Sequence, residues 1–278
     1  MKLQTLAAAC LSLVFGTATL AQSPVKIGIE GAFPPWNALD SQGKLSGLDV
    51  DLITDLCKRA ALECELVPGP WSGMIPGLNA GKYDAVMTMG INDERRKVID
   101  FTIPYAAGNG TFLVPAGSPL AALPMKGEAL NLNDKALADP VMAEIGEKLD
   151  GLSVGVVGST SQERLIAAYF GDHAQVRTYE SGKMRDLDLL SGRIDAGFDS
   201  GVYAAATYGT DGSGELVMAG PYVRGAMLAT NVAIGLRKGE DALREKFDAA
   251  IRQAAEDGTI RRVSTQWSRL DLTPPTDQ

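Results

Sequence analysis

Histidine, cysteine and basic stretches are scarce in this chain. Its 278 residues include one histidine, His173, and three cysteines, and the formal net charge is −8 at pH 7. So few His and Cys side chains argue against a metal site built from such ligands, and we expect neither a metal nor a cofactor. The acidic balance argues against nucleic acid as a partner, because binding to phosphates needs a basic face.

Long apolar segments are also missing, except at the N-terminus. After Lys2, residues 3–20 are uncharged and mostly small or apolar, and small residues stand at the −3 and −1 positions of a cleavage site after Ala21. This pattern predicts a signal peptide over residues 1–21. A membrane anchor is the alternative, but Ala, Thr, Ser and Gly make the run weakly apolar. We therefore expect a secreted, periplasmic mature chain that is long enough for two lobes.

Two cysteines, Cys57 and Cys64, remain in the expected mature chain. An isolated pair in an oxidising compartment is most often a disulfide. Such a bond closes a short loop here and stabilises the fold by about 2 kcal/mol. Two buried thiols are the alternative.

Strands and helices are predicted to alternate in two separate stretches. In the first, residues 25–29 alternate as in a strand, and residues 48–60 carry apolar side chains at helical spacing. A second unit of this kind begins at residue 152. The alternation is typical of a parallel sheet covered by helices. Between the two stretches, residues 120–150 show weak helical periodicity and are predicted to form a surface excursion.

Seven segments spread over the mature chain carry a family resemblance. They are, in order, IGIEGAFPPWN, GKLSGLDVDLITDLCKR, WSGMIPGLNAGKYDAVM, ER at 94–95 followed by DFTIPY, SVGVVGSTSQE, LLSGRIDAGF and AIGLRKGEDALREKFDAAIRQAAEDGTIRRVSTQW. Together they resemble the periplasmic polar-amino-acid-binding proteins, solute-binding protein family 3. Within that family the chain is most similar to the octopine- and nopaline-binding branch, while the spacing of Cys57 and Cys64 resembles the lysine/arginine/ornithine-binding members.

The resemblance implies an α/β fold of two lobes joined by two hinge strands, the type II periplasmic-binding-protein architecture. Lobe one is predicted to comprise residues 22–114 and 218–278, and lobe two residues 115–217. A basic amino acid or an opine is expected in the cleft, where closure about the hinge buries it. The implied role is solute capture for an ABC-type uptake system, with a membrane permease as partner. We expect a monomer that is not an enzyme.

Four side chains of lobe one are implied as ligand contacts. Arg95 presents a planar fork that suits a carboxylate, and the family places an arginine of this motif against the ligand's α-carboxylate. Glu30 follows the first strand, where an acid suits a cationic ligand group, and Phe33 and Trp71 suit the sides of such a group. For Trp36 two alternatives stay open, a ligand contact and a residue on the lobe surface. From the residues alone, a surface arginine, a solvated loop acid and core aromatics remain alternatives.

In lobe two, Thr160 and Ser161 stand where a strand turns into a helix. The first N–H groups of a helix favour an anion, and the family places this turn against the same carboxylate. Simple N-capping is the alternative, and the two roles are compatible. Ser159 stands at this turn where the family usually has glycine.

Two segments depart from the family pattern. The binding segment with Thr88, Met89 and Gly90 is one residue shorter than usual, and these three residues are predicted as ligand contacts by position. After the GRIDAGF strand, basic-amino-acid binders place an aspartate against the ligand ammonium. Here that position holds Ser200, with Asp199 beside it, and the alternation of side chains along a strand leaves open which of the two faces the ligand. The serine favours an N-substituted amino acid, such as an opine, over a free one.

An enzyme on the same fold is the main alternative function. Cyclohexadienyl dehydratases share this fold, and a fold does not determine function. Glu30 or Asp199 would then be the candidate acid of a carboxylate-based dehydratase. A ligand-sensing domain is a third alternative, but the membrane or kinase segment that normally accompanies one is not seen in the sequence.

Overall fold

The computed structural model describes residues 23–210, 212–225, 227–228 and 230–274. It contains two six-stranded sheets and a small three-stranded sheet. Helices pack on both large sheets, which gives the two α/β lobes that the sequence predicts. The predicted signal peptide, residues 1–21, lies outside the described residues.

Strands and helices alternate along most of the chain. The strands are β1 (Val25–Ile29), β2 (Ala32–Phe33), β3 (Asn37–Leu39), β4 (Leu45–Ser46), β5 (Cys64–Pro68), β6 (Ala85–Gly90), β7 (Asp100–Phe101), β8 (Ala106–Ala107), β9 (Gly110–Pro115), β10 (Ala129–Asn131), β11 (Ser153–Val157), β12 (Gln175–Tyr179), β13 (Ala196–Ser200), β14 (Leu216–Arg224) and β15 (Asn231–Leu236). The α-helices are α1 (Leu48–Arg59), α2 (Met74–Asn79), α3 (Asp93–Arg96), α4 (Lys135–Lys148), α5 (Ser161–Phe170), α6 (Gly182–Leu190), α7 (Gly201–Tyr208), α8 (Asp241–Glu256) and α9 (Thr259–Ser268).

The sheet of lobe one has the strand order β5-β1-β6-β15-β7, and β8 also pairs with β15. Strand β1 runs parallel to β5 and β6, as strand–helix–strand units require, while β15 returns from lobe two and runs antiparallel to β6. Helix α1 covers this sheet because Leu52, Ile53 and Leu56 recur at helical spacing and are buried. Since β1 and β6 are parallel, they end at the same edge of the sheet, which brings Glu30 and Gly90 to the cleft.

The sheet of lobe two has the order β10-β14-β9-β13-β11-β12. Strands β9 and β14 carry the chain into and out of this lobe, and they pair antiparallel within its sheet. The chain therefore crosses between the lobes between β8 and β9, and again between the end of β14 and the start of β15, whereas the predicted boundaries fall inside β9 and β14. A strand that leaves one lobe and enters another carries no mark in the sequence at the point of transfer, which explains the difference.

Residues 120–150 contribute several side chains to the core of lobe two, so the predicted surface excursion is wrong. This segment contains β10 and α4, and it buries Leu130, Met142 and Ile145 among the apolar side chains of the lobe. Its helical periodicity is weak because Pro140 lies inside α4 and few of the helix's side chains are buried. The helix packs along a narrow apolar stripe, which a search for a broad apolar face does not detect.

The structure pairs Cys57, in α1, with Cys64, at the start of β5, in a disulfide. The predicted disulfide is therefore confirmed. The bond closes the turn between α1 and β5, and neither cysteine lines the cavity described below.

Two further features concern what the described part of the chain does not contain. Across residues 23–210, 212–225, 227–228 and 230–274, no helix is both long and apolar enough to cross a membrane. Within those residues, no group of three or more His, Cys, Asp or Glu side chains is placed to hold a metal ion.

Candidate functional site

A cavity lies between the two lobes, and the segments that connect the lobes form part of its wall. The lining residues are Glu30, Phe33, Trp36, Trp71, Thr88, Gly90, Arg95, Gly108, Asn109, Val157, Thr160, Ser161, Gln162, Gly182, Asp199, Ser200, Leu228, Thr230 and Val232. Ten of the eleven predicted ligand contacts are in this set, and the exception is Met89. The cavity is therefore where the sequence predicts the ligand site.

Arg95 is a buried cation without a carboxylate partner. It lies in α3 with 6% of its surface exposed. Its Nη1 donates to the Gly90 carbonyl at 2.8 Å and its Nη2 to the Ser159 carbonyl at 3.4 Å, while the guanidinium carbon lies 5.1 Å from the centre of the Trp71 ring. Burial, and then the nearby charge of Arg164, lower the pKa of Arg95 to about 10. No carboxylate among the described residues pairs with Arg95, so the site is suited to an anion from outside the chain.

Glu30 is a partly buried acid directly after β1, and it also lacks an ionic partner. Burial, and then the charge of Asp199 in lobe two, raise the pKa of Glu30 to about 7. No cation among the described residues pairs with this carboxylate, and it forms no salt bridge with Arg95 although both line the cavity. A ligand group that is cationic or donates several hydrogen bonds would satisfy it.

Phe33 and Trp71 make contacts across the cleft, which is closed in this structure. Phe33 stacks on Tyr203 of lobe two, with ring centres 5.6 Å apart and an angle of 16° between the rings. Trp71 donates from Nε1 to the Ser159 carbonyl at 3.3 Å and lies beside the guanidinium of Arg95. Each predicted aromatic contact thus already has a protein group against one face, and only the remaining surface of each ring is open to a ligand.

The turn before α5 keeps a glycine-like path although Ser159 stands there. Ser159 has a φ of +62°, in the left-handed region, and its N–H donates to Glu163 Oε2 at 2.7 Å. Thr160 caps α5, since its Oγ1 accepts from the N–H of Glu163 at 3.1 Å. Ser161 begins the helix and is buried. The start of α5, with its first-turn N–H groups, therefore forms one wall of the cavity.

Asp199 and Ser200 end β13, and both line the cavity. Asp199 is buried and pairs with Arg185, and its Oδ1 accepts from the N–H of Ser200 at 2.6 Å. Arg185 also pairs with Asp186 at 2.6 Å, whose Oδ2 accepts from the Tyr203 hydroxyl at 2.6 Å. The Ser200 hydroxyl caps α7. Asp199 is therefore a partner of Arg185 and not a free carboxylate in the cleft.

The binding segment at the end of β6 is irregular. Thr88 has a φ of +57°, and the pairing of β6 with β15 shifts register between Ala233 and Gly235. Thr88 and Gly90 line the cavity. The Met89 side chain is fully buried in an apolar cluster of lobe one. The side chain of Met89 thus belongs to the core of lobe one and does not line the cavity, unlike the other ten predicted contacts.

A buried polar network lies behind Thr88, and the sequence analysis did not identify it. Asp49, in α1, accepts hydrogen bonds from the hydroxyl of Thr88, from the Tyr105 hydroxyl at 2.7 Å and from Asn37 Nδ2 at 2.9 Å. Burial raises the pKa of Asp49 to about 6, although these three hydrogen bonds oppose the shift. The Oδ1 of Asn37 accepts from the N–H of Gly31 at 2.7 Å, which ties the loop after β1 to the same network.

Trp36 and Asn109 also line the cavity, and neither was among the predicted contacts. Trp36 is 2% exposed, so it does not lie on the lobe surface.

The burial of Asp49 could have been predicted from the sequence. Asp49 precedes Leu52 by three positions and Ile53 by four, so it lies on the apolar face of the helix and must be buried with partners. Nothing in the sequence marks the direction of the Trp36 ring.

Sequence comparison agrees with this geometry. A sequence profile of the bacterial extracellular solute-binding proteins, family 3, matches residues 25–269. The octopine-binding periplasmic protein of Rhizobium meliloti is 34% identical over 294 residues, which cover 99% of this chain and 100% of that protein. The L-arginine-binding protein of Pseudomonas aeruginosa is 31% identical over 275 residues, which cover 98% of each chain.

Structural comparison leads to the same group. A solved structure of an ancestral arginine-binding protein bound to arginine matches with a TM-score of 0.73 at 26% identity, covering 88% of this chain and 98% of that one. The predicted two-lobe fold and the predicted family are both confirmed. This chain belongs to the bacterial extracellular solute-binding proteins, family 3.

Proposed function

We propose that this protein captures an amino-acid-like ligand whose carboxylate binds Arg95 and whose distal cationic or strongly hydrogen-bonding group faces Glu30. One observation carries the proposal: a buried guanidinium and a partly buried carboxylate line one cavity, and neither is ion-paired within the described residues. A buried charge without a partner is costly, and a ligand that brings an opposite charge to each offsets that cost. The first turn of α5 adds N–H donors for the same carboxylate.

The ligand of this proposal is an N-substituted amino acid, such as an opine, in preference to free arginine or lysine. Ser200 offers a hydroxyl where an ammonium would need a carboxylate, and Asp199 is already paired with Arg185. A primary ammonium in a closed cleft needs a nearby carboxylate to offset its desolvation, whereas a secondary amine that carries its own carboxyl group is partly neutralised internally. The identity of 34% to the octopine-binding protein of Rhizobium meliloti supports the same ligand class.

The proposed setting is the periplasm, where the protein, as a monomer, delivers its ligand to the membrane permease of an ABC-type uptake system. The family and the periplasmic relative support this setting. Intact mass of the secreted protein tests the predicted cleavage after Ala21. The relatives described above are named as binding proteins and not as enzymes, and an assay of prephenate turnover tests the dehydratase alternative.

Parallel titration calorimetry with octopine, nopaline, arginine and ornithine tests the ligand. A thermal-shift screen precedes it, since a ligand at 100 times its Kd adds about 2.7 kcal/mol of stability. We expect the opines to bind most tightly. The opine assignment is wrong if arginine binds at least as tightly and Asp199→Asn abolishes that binding while Ser200→Ala does not. If none of the four ligands binds, the proposed function itself fails.

A further inference from the structure

Trp36 carries a buried hydrogen-bond donor that no described protein group accepts. The side chain is 2% exposed, and its Nε1 has no hydrogen-bond partner within the described residues. The other two tryptophans do have acceptors: Trp71 donates to the Ser159 carbonyl at 3.3 Å, and Trp267 donates to Asp51 Oδ2 at 2.7 Å. Because buried donors in folded proteins are nearly always bonded, the indole N–H of Trp36 points to an acceptor from outside the chain.

The position of Trp36 indicates which molecule supplies that acceptor. Trp36 lines the same cavity as Glu30 and Arg95. Asn109, on the segment that connects the lobes, lines it too, and its Oδ1 is likewise buried without a partner among the described residues. Trp36 and Asn109 therefore both line the cavity, and each carries a buried polar atom without a partner among the described residues.

The loop that carries Trp36 is hydrogen-bonded to α1, and the side chain of Trp36 packs in the apolar core of lobe one. The Trp36 carbonyl accepts from the N–H of Asp49 at 2.8 Å, and the side chain of Asn37, the next residue, donates to Asp49 Oδ2 at 2.9 Å. A Cβ at Gly47 would lie 2.5 Å from the Trp36 carbonyl oxygen, so glycine there permits the close approach of helix and loop. A donor fixed in this way binds its acceptor with little loss of conformational freedom.

We infer that Trp36 donates a hydrogen bond from Nε1 to an oxygen of the ligand, so that the ligand carries an acceptor oxygen besides the carboxylate held by Arg95. This inference rests on the proposed function, because it takes the carboxylate at Arg95 as given. It also separates two ligand classes. The side chains of free arginine and lysine offer only donors, whereas an opine carries a second carboxylate. Since a site built to hydrogen-bond one group rejects an analogue that lacks it, Trp36 selects an opine over its parent amino acid.

Calorimetry with octopine and L-arginine on the Trp36→Phe variant tests the inference. We expect the affinity for octopine to fall about 10- to 100-fold, as for the loss of a hydrogen bond to a charged acceptor, while the affinity for arginine changes less than about threefold. Trp267→Phe makes the same chemical change at a tryptophan outside the cavity, and it leaves both affinities unchanged. Benzothienylalanine at position 36 keeps the shape of the two rings and replaces the N–H by sulfur. We expect benzothienylalanine to cause the same selective loss of octopine affinity. Because its ring system has the size of indole, that loss is due to the missing N–H and not to a smaller side chain.

The ratio of the two affinities decides the outcome. Equal losses for octopine and arginine, or no loss for either, overturn the assignment of Trp36. If the unaltered protein binds both ligands and the ratio does not depend on position 36, only this inference fails. If the unaltered protein binds neither ligand, the proposed function fails together with it.

Discussion

The two walls of the cleft treat charge differently. On the wall from lobe one, Arg95 and Glu30 have no ionic partner among the described residues. On the wall from lobe two, Asp199 is paired with Arg185, and Thr160 uses its hydroxyl to cap a helix. From this difference we propose that lobe one recognises the charges of the ligand, and that lobe two closes over the ligand with a helix N-terminus and hydrogen-bonding groups.

The largest effect on ligand affinity is expected on the lobe-one wall, from substitution of Arg95. Arg95→Ala leaves the ligand carboxylate buried without its partner, which costs roughly 2–5 kcal/mol, or about 30- to several-thousand-fold in affinity. Arg95→Lys also binds weakly, because a point ammonium does not reproduce the planar fork. Titration calorimetry measures both, with Arg96→Ala, an exposed cation next in sequence, as the control. Near-native affinity in a folded Arg95→Ala variant would remove Arg95 from the site.

On the lobe-two wall, where Asp199 is paired with Arg185, we expect a substitution to change the stability of the protein. Asp199→Asn takes one of two carboxylates away from Arg185 in a buried cluster, which lowers the free energy of unfolding by about 3 kcal/mol. In the same lobe, Glu144→Gln removes an exposed pair with Lys148 and lowers it by less than about 1 kcal/mol. Chemical denaturation measures the two variants side by side. Equal effects would show that the charge of Asp199 is not part of a buried structural pair.

The disulfide lies outside both walls of the cleft, so its removal is expected to change stability and not ligand affinity. Replacing Cys57 and Cys64 together by alanine lowers the free energy of unfolding by about 2 kcal/mol, because the bond closes a short loop. The affinity for ligand stays unchanged, since neither residue lines the cavity. Intact mass under non-reducing conditions reports the bond as a loss of two hydrogens. Two freely alkylated thiols in the native secreted protein would contradict it.

The smallest effect is expected from pH, and it tests the unpaired state of Glu30. In this structure burial raises the pKa of Glu30 from 4.5 to about 7. The folded chain therefore holds the proton over this interval, and ionisation lowers stability as the pH rises through it. A cationic ligand group pairs with the ionised form and lowers this pKa. The affinity therefore rises with pH and levels off above about pH 7, with a gain of about tenfold from pH 5.5 to pH 7.

Calorimetry across that pH interval checks this expectation. Glu30→Gln, which does not titrate, serves as the matched variant and is expected to show no such rise. An equal rise in both proteins would assign the titration to a group other than Glu30. A flat profile in the unaltered protein would mean that no cationic group meets Glu30.

The locations of residues at the ends of strands and helices were predictable from the sequence. Glu30 follows a strand, Thr160 precedes a helix, and Arg95 lies in a charged turn that matches the family motif, so their neighbourhood in the fold follows from the order of elements. The alternation of strands and helices likewise predicts the two lobes. The segment over residues 119–149 was not predictable as core, because Pro140 and the few buried positions of α4 weaken its period.

The direction of individual side chains was predictable only where the backbone is regular. Simple alternation would place Met87 and Met89 on the same face of β6. The positive φ of Thr88 breaks that alternation, and the two methionines enter different apolar clusters. The orientation of Trp36 depends on hydrogen bonds between its loop and α1. Such contacts between distant segments leave no periodic trace in the sequence.

A crystal structure of the protein with octopine bound tests the central claim most directly. We expect one carboxylate of octopine in two hydrogen bonds with Arg95, its guanidinium against Glu30 and its second carboxylate accepting from Trp36 Nε1. Asp199 is expected to remain paired with Arg185, as it is in this structure. A complex in which Arg95 touches no carboxylate, or in which Asp199 leaves Arg185 to bind the amine of the ligand, would contradict the account.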